Sequence, residues 1–150
     1  MTEVRRISYD IAASDINFSA MLDEYAAESV HFGMPKPECQ AEVYRAMEES
    51  GLIHVLGSFK DGRLTGFVVL MVSVLPHYGV TVATTESFFV TPSYRKSGAG
   101  LMLLREAERL AKSLGAVAML VTAPANGKLD GVLQKTEYVL SSKVFIRGLQ

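Results

Sequence analysis

Residues 80–121 most constrain what this chain can fold into. Val80 to Val90 is a β-rich run and Thr91 to Ser97 a loop, after which Leu101, Leu104, Ala107, Ala111 and Leu114 recur at intervals of three or four up to Gly115. Val117 to Val121 is then a short continuous apolar run, the pattern of a strand buried on both faces in a parallel pair. Strand, amphipathic helix and buried strand make a βαβ unit, which commits the chain to a mixed α/β sheet. The connecting segment, Val90-Thr91-Pro92-Ser93-Tyr94-Arg95-Lys96-Ser97-Gly98-Ala99-Gly100-Leu101, has glycines where backbone can approach a ligand. It also opens a helix whose first N–H groups lack internal partners. Such a turn suits phosphate, with the helix dipole, Arg95 and Lys96 adding positive potential. A ligand-free turn would carry the same glycines, and both the P-loop and the dinucleotide fingerprints are absent.

The rest of the chain is read around this unit. Val4 to Tyr9 reads as a first strand, and Ser14 as the N-cap of a helix presenting Phe18, Met21, Leu22 and Tyr25. His31-Phe32-Gly33-Met34-Pro35 interrupts it, and a second helix from about Pro37 places Val43, Tyr44 and Met47 on one side and stops at Gly51. Leu52 to Phe59 and Leu64 to Val74 flank Lys60-Asp61-Gly62-Arg63, a strong hairpin signal. A short helix follows Asn126, and Tyr138 to Leu149 reads as a final strand, broken near Ser141-Ser142. No repeat or linker divides residues 1–150, so one domain is expected.

Composition excludes several classes. With 49% hydrophobic and 21% charged residues the chain is globular, and a formal charge of −1 argues against nucleic acid or an anionic membrane surface as partner. The longest apolar stretch, Phe67 to Val72, is far short of the ~18 residues that span a bilayer. The N-terminus, Met-Thr-Glu-Val-Arg-Arg, carries no apolar h-region of a secretory signal and Cys39 is the only cysteine, so a cytoplasmic protein is expected. His31, His54 and His77 lack metal-ligand spacing, so no metal is expected. Between Tyr9 and Ser50, nine acids (Asp10, Asp15, Asp23, Glu24, Glu28, Glu38, Glu42, Glu48, Glu49) face two bases (Lys36, Arg45). Between Tyr94 and Lys128 six bases (Arg95, Lys96, Arg105, Arg109, Lys112, Lys128) face two acids (Glu106, Glu108). Solvated helix faces explain this asymmetry; so does an anionic ligand on the second half with a cationic one near the first.

Val-x-Pro-x-Tyr-Arg-x-x-Gly-x-Gly after a strand resembles the acetyl-CoA motif of the GNAT superfamily of N-acetyltransferases, and the order of elements resembles that family over nearly the whole chain. The resemblance implies a GNAT-like mixed sheet of six or seven strands flanked by about four helices, with strands four and five splayed to bind acetyl-CoA. Glu86-Ser87-Phe88-Phe89-Val90 also resembles the spermidine/spermine (polyamine) branch. The resemblance implies that Phe88, Phe89 and Val90 contact the acyl end of the cofactor. It assigns the pyrophosphate to Arg95, Lys96, Ser97, Gly98, Ala99, Gly100 and Leu101, and the pantetheine arm to Asn126.

A primary amine, with a reference pKa near ~10.4, must lose a proton before attacking a thioester. Glu86, on the strand expected to line the acyl site and expected to be partly buried, matches the base of the polyamine branch; an ordinary cross-strand glutamate would look the same. The tyrosine that serves many relatives as general acid is replaced by Leu133, and Glu137-Tyr138 stands where they have Gly-Phe, so no acid carries over. His31 and His77 are candidates to touch substrate, His54 reads as a packed or surface histidine, and Cys39 as a helix-surface thiol. The expected activity is transfer of acetyl to a small cationic amine or to a lysine or α-amine of a protein, with a homodimer admitted. The alternative is a non-catalytic acyl-CoA-binding or interaction module.

Overall fold

The structure is a computed structural model, and it describes residues 1–29 and 33–150. Ser8 starts the first helix: its hydroxyl accepts from Ile11 N–H, so the opening strand β1 (Thr2–Ile7) ends early and Tyr9 belongs to α1 (Tyr9–Ala13). Ser14, expected to cap a helix, instead closes α1 with its hydroxyl on Ile11 O. Asp15 receives Asn17 N–H at 2.8 Å and Leu64 N–H at 3.0 Å, which pins the start of α2 (Phe18–Glu28) to the sheet. The next helix, α3 (Ala41–Glu49), begins four residues later than Pro37; Tyr44 and Met47 turn inward, whereas Val43 is exposed.

Five strands form one sheet in chain order, β1 followed by β2 (Ile53–Lys60), β3 (Arg63–Leu75), β4 (Val80–Val90) and β5 (Ala118–Leu120). The first four are antiparallel and β5 runs parallel to β4. The β2–β3 hairpin turns on Asp61 and Gly62, with φ of +50° and +75°, the left-handed pair a tight hairpin requires. Side-chain alternation sends successive residues to opposite faces. Phe67, Val69 and Phe89 pack with Met21 under α1–α3, while Val68, Leu70 and Ala83 pack on the other face against α4 (Ala99–Ser113).

Helix α4 meets the sheet through Ala99, Leu103, Leu104, Ala107 and Ala111. Leu101, expected on that face, is 48% exposed. A 3-10 turn (Pro92–Tyr94) precedes α4, and α5 (Lys128–Leu133) follows β5, so the described residues form five α-helices rather than about four.

Among the described residues the sheet has five strands, not six or seven. Residues 138–149 form no strand, and Val139, Leu140, Val144, Phe145 and Leu149 are each more than three-quarters exposed. With no strand beyond it, β5 is an edge of only three residues, and the Val117 to Val121 run is not buried on both faces: Val117 is 68% and Leu120 38% exposed. Apolar alternation specifies a strand only where a ladder exists to receive it. Tyr138 instead ties its hydroxyl to Glu108 on α4 at 2.9 Å.

Candidate active site

The β4–α4 turn is held by its own side chains. Thr91 N–H donates to Thr65 O at 2.9 Å, and the Ser97 hydroxyl donates to Tyr94 O at 2.6 Å while receiving Ala99 N–H at 3.3 Å. Gly98 is the N-cap of α4 with φ +87°, a conformation an L side chain adopts only under strain. No atom lies within 4 Å of where a Cβ would stand at Gly98, and at Gly100 the nearest is Val90 Cγ2 at 3.7 Å. The N–H groups of Gly98, Gly100 and Leu101 have no acceptor among the described residues, as the first turn of a helix dictates. Three unpaired N–H groups at the positive end of a fifteen-residue helix, with open space before them, form an anion seat.

The basic side chains divide. Lys96 is exposed. Arg95 is turned inward: Nε donates to Val90 O at 2.8 Å, Nη2 meets both Glu28 oxygens at 2.7 and 3.0 Å, and the guanidinium lies 5.1 Å from the Phe89 ring centre. Its charge is matched within the protein, in contrast to the expectation that it would face phosphate.

Beside this turn the sheet opens. Strands β4 and β5 pair only over Val82–Thr84, after which Thr122 N–H is received by the Thr85 hydroxyl at 3.0 Å instead of a ladder carbonyl. Thr91 donates to β3, so ladder alternation aims Phe89 N–H at β3 as well and leaves those of Phe88 and Val90 on the open edge. Phe89 was expected at the acyl site; its ring is in the core against Tyr25 and Phe67. Asn126 is exposed at the mouth of α5, in the left-handed region at φ +60°, its N–H bonded to Asp130.

Glu86 occupies a bulge. Val69 pairs with Ser87 and Leu70 with Thr85, so Glu86 has no partner on β3. A bulge re-aims its side chain. Here the Glu86 carboxylate receives the Tyr44 hydroxyl at 2.8 Å and borders a cavity of about 190 Å³ between the helices and the sheet. Glu86 is exposed, not partly buried. Tyr9 and Tyr44 stack with ring centres 5.5 Å apart, and the Tyr9 hydroxyl and Cys39 thiol are 2.9 Å apart. Cys39 therefore lines the cavity ahead of α3 and is not a helix-surface thiol. Burial, reinforced by Cys39, pushes the Tyr9 pKa up to about 12; burial and then the Glu86 carboxylate push Tyr44 up, and burial raises Tyr25. All three phenols stay protonated at neutral pH, as donors and not bases.

Tyr9, Tyr25, Tyr44 and Cys39 line this cavity, but in the sequence Tyr25 and Tyr44 carry only the apolar helix spacing of a core, Tyr9 reads as the end of a strand and Cys39 as a helix-surface thiol. His31 lies outside the described residues. His77 sits exposed in the β3–β4 turn beside Tyr78, away from the cavity lining. His54 is packed, its Nδ1 2.7 Å from Arg6 Nη2 and its Nε2 3.1 Å from Gly51 O. Among the described residues no three His, Cys, Asp or Glu side chains converge as metal ligands would, and no helix is long and apolar enough to cross a membrane.

The sheet thus carries helices on both faces, a parallel pair that parts midway and a free-amide turn at the parting. The acetyltransferase (GNAT) family pattern matches residues 18–137, and the chain belongs to that family. No curated protein sequence matches the chain. Among solved structures it is similar to a ribosomal-protein-alanine N-acetyltransferase from Brucella melitensis biovar Abortus 2308, with TM-score 0.75 and 15% identity over 100% of both chains. It is also similar to an aminoglycoside acetyltransferase from an uncultured soil metagenomic sample, with TM-score 0.76 and 13% identity, covering 99% of this chain and 97% of that one. An acetyltransferase of Trypanosoma brucei gives TM-score 0.74 and 18% identity, covering 99% and 100% respectively. At these identities the likeness is one of fold.

Proposed function

We propose that residues 1–150 act as one N-acetyltransferase domain that binds acetyl-CoA at the open edge of β4 and acetylates a primary amine held in the cavity beside Glu86. The observation that carries this reading is the adjacency of the αL-glycine turn, with its three unpaired N–H groups, to an edge of β4 whose next bulge presents a carboxylate. When bound, acetyl-CoA supplies the activated acetyl group as a thioester. Gly98, Gly100 and Leu101 N–H would hold its pyrophosphate, with Ser97 and Ala99 shaping the turn and Lys96 adding charge. Phe88 and Val90 N–H are the donors available at the acyl end, where they would polarise a carbonyl in oxyanion-hole fashion. Asn126 takes the pantetheine arm on the strength of family resemblance alone.

Glu86, oriented by Tyr44, accepts the proton the amine must lose, directly or through one water. Proton return to the departing sulfur falls to water: Leu133 has no proton to give, and the Tyr138 hydroxyl is committed to Glu108. A cytoplasmic setting fits the Cys39 thiol, which is free and hydrogen-bonded to Tyr9. The second reading, a non-catalytic acyl-CoA binder, is favoured by Leu133 alone. A screen of amines following free thiol release tests both: turnover with any amine well above thioester hydrolysis supports the transferase, and hydrolysis-level release with every amine overturns it.

A further inference from the structure

We infer that the acceptor is a small primary monoamine on an apolar, ring-sized body, and not a polyamine or an aminoglycoside. This inference rests on the amine-acetylation reading above and specifies its substrate. The cavity of about 190 Å³ exceeds the ~150 Å³ of apolar space that holds a benzene molecule, leaving room for a ring and a short amine-bearing chain.

Its wall is aromatic. Tyr9 and Tyr44 stack almost parallel, 4° apart, and Phe18 meets Tyr9 edge-on at 6.1 Å. Tyr25 stands edge-on to Phe67 at 5.9 Å. Aromatic side chains offer an apolar body contact area and attract an ammonium group through their quadrupoles, although one face of Tyr9 lies on Tyr44 and the Arg45 guanidinium stands 5.7 Å from its ring centre.

Charge at the cavity is sparse. Among the described lining residues the carboxylates are Glu86 and the exposed Glu38, and there is no lysine or arginine. The acidic first third of the chain does not supply more: Asp10 pairs with Arg45, Asp15 receives Leu64 N–H, Glu28 clasps Arg95 and Glu48 receives Tyr9 N–H. The Tyr9 and Tyr44 hydroxyls are already engaged by Cys39 and Glu86, so an acceptor with several amines or hydroxyls would bury more polar groups than the few remaining partners can satisfy, which is disfavoured. One ammonium finds Glu86, and the remainder of the ligand finds rings.

Calorimetry on the full chain with phenethylamine, spermidine and kanamycin reads this directly, without acetyl-CoA. Phenethylamine is expected to bind about tenfold or more tightly than the other two. Tyr44→Leu is expected to weaken phenethylamine about tenfold, whereas Tyr44→Phe, which keeps the ring, changes it little. Spermidine or kanamycin binding as tightly as phenethylamine to the unaltered protein overturns the inference, and this comparison needs no variant to fold. Thiol release separates the two claims. Release with spermidine alone overturns the monoamine assignment and leaves acetyl transfer standing. Phenethylamine binding with no release for any amine supports the assignment of the cavity and overturns the transfer.

Discussion

Arg95 is clasped by Glu28 across sixty-seven residues of sequence, with Nη2 2.7 and 3.0 Å from the two carboxylate oxygens. The pair ties the end of α2 to the turn that opens α4, and it engages the arginine that the sequence offers to phosphate.

Glu28→Gln therefore tests a structural role. A partly exposed pair is worth about 0.2–1 kcal/mol, so the melting temperature should fall by about 1–4 °C. Acetyl-CoA affinity should stay within about threefold, well short of the tenfold that ~1.4 kcal/mol represents. Arg95→Ala should lower stability further, by about 1–3 kcal/mol, since the bond to Val90 O and the contact with the Phe89 face go as well. Thermal melts with calorimetry check both; a Glu28→Gln protein that binds acetyl-CoA much more tightly would show that Arg95 reaches phosphate once released.

The two glycines of the turn should behave differently. Gly100 has ordinary dihedral angles and open space, so Gly100→Glu should fold with near-native stability and lose acetyl-CoA binding, about a hundredfold or more, as a carboxylate enters the anion seat. Gly98→Ala adds no charge but forces an L side chain to φ +87°, and should lower stability by about 1 kcal/mol with binding largely retained. Undiminished binding by Gly100→Glu would place the pyrophosphate elsewhere.

At the carboxylate, Glu86→Gln should lower kcat by about 10²–10⁴ with acetyl-CoA affinity intact. Tyr44→Phe, which removes only the hydroxyl that aims Glu86, should reduce kcat less. Steady-state kinetics with an accepted amine measures both; a Glu86→Gln enzyme with native kcat would mean that another group is the base.

Leu133 and Tyr138 divide the question of the acid. Tyr138→Phe should leave kcat unchanged because its hydroxyl serves Glu108. The half-buried Leu133, replaced by tyrosine, should raise kcat with the acetyl-CoA KM little changed, toward the ~10²–10⁴-fold that general acid catalysis supplies. Stopped-flow thiol release measures both. Loss of activity in Tyr138→Phe would reverse the assignment.

His54 predicts how stability responds to acid. Arg6 only donates, so Nδ1 accepts from it and Nε2 carries the proton toward Gly51 O. Burial, then the Arg6 charge, hold the imidazole pKa below 6.5. The unfolded chain takes up a proton near that value while the folded chain resists, so the stability His54 confers above it is lost as pH falls through the window beneath. His54→Gln should flatten the fall in the urea midpoint from about pH 7 to about pH 5; an unchanged slope would assign it to other groups.

Local chemistry was enough for the elements that local chemistry builds. Asp61-Gly62 turned the hairpin because two left-handed residues are a property of two residues, and the Gly98 turn was recognisable because free amides follow from a helix start alone. Helical periodicity found α4 but misplaced Leu101, since the face a helix buries depends on what it packs against. Only the tertiary structure decided that Glu86 lies in a bulge under Tyr44, that Glu28 occupies Arg95 and that Cys39 meets Tyr9, pairs whose members stand thirty or more residues apart. It also left residues 138–149 out of the sheet, although their apolar pattern reads as a strand. A strand is completed by a neighbour's backbone, and the sequence of one segment carries no information about whether that neighbour is in reach.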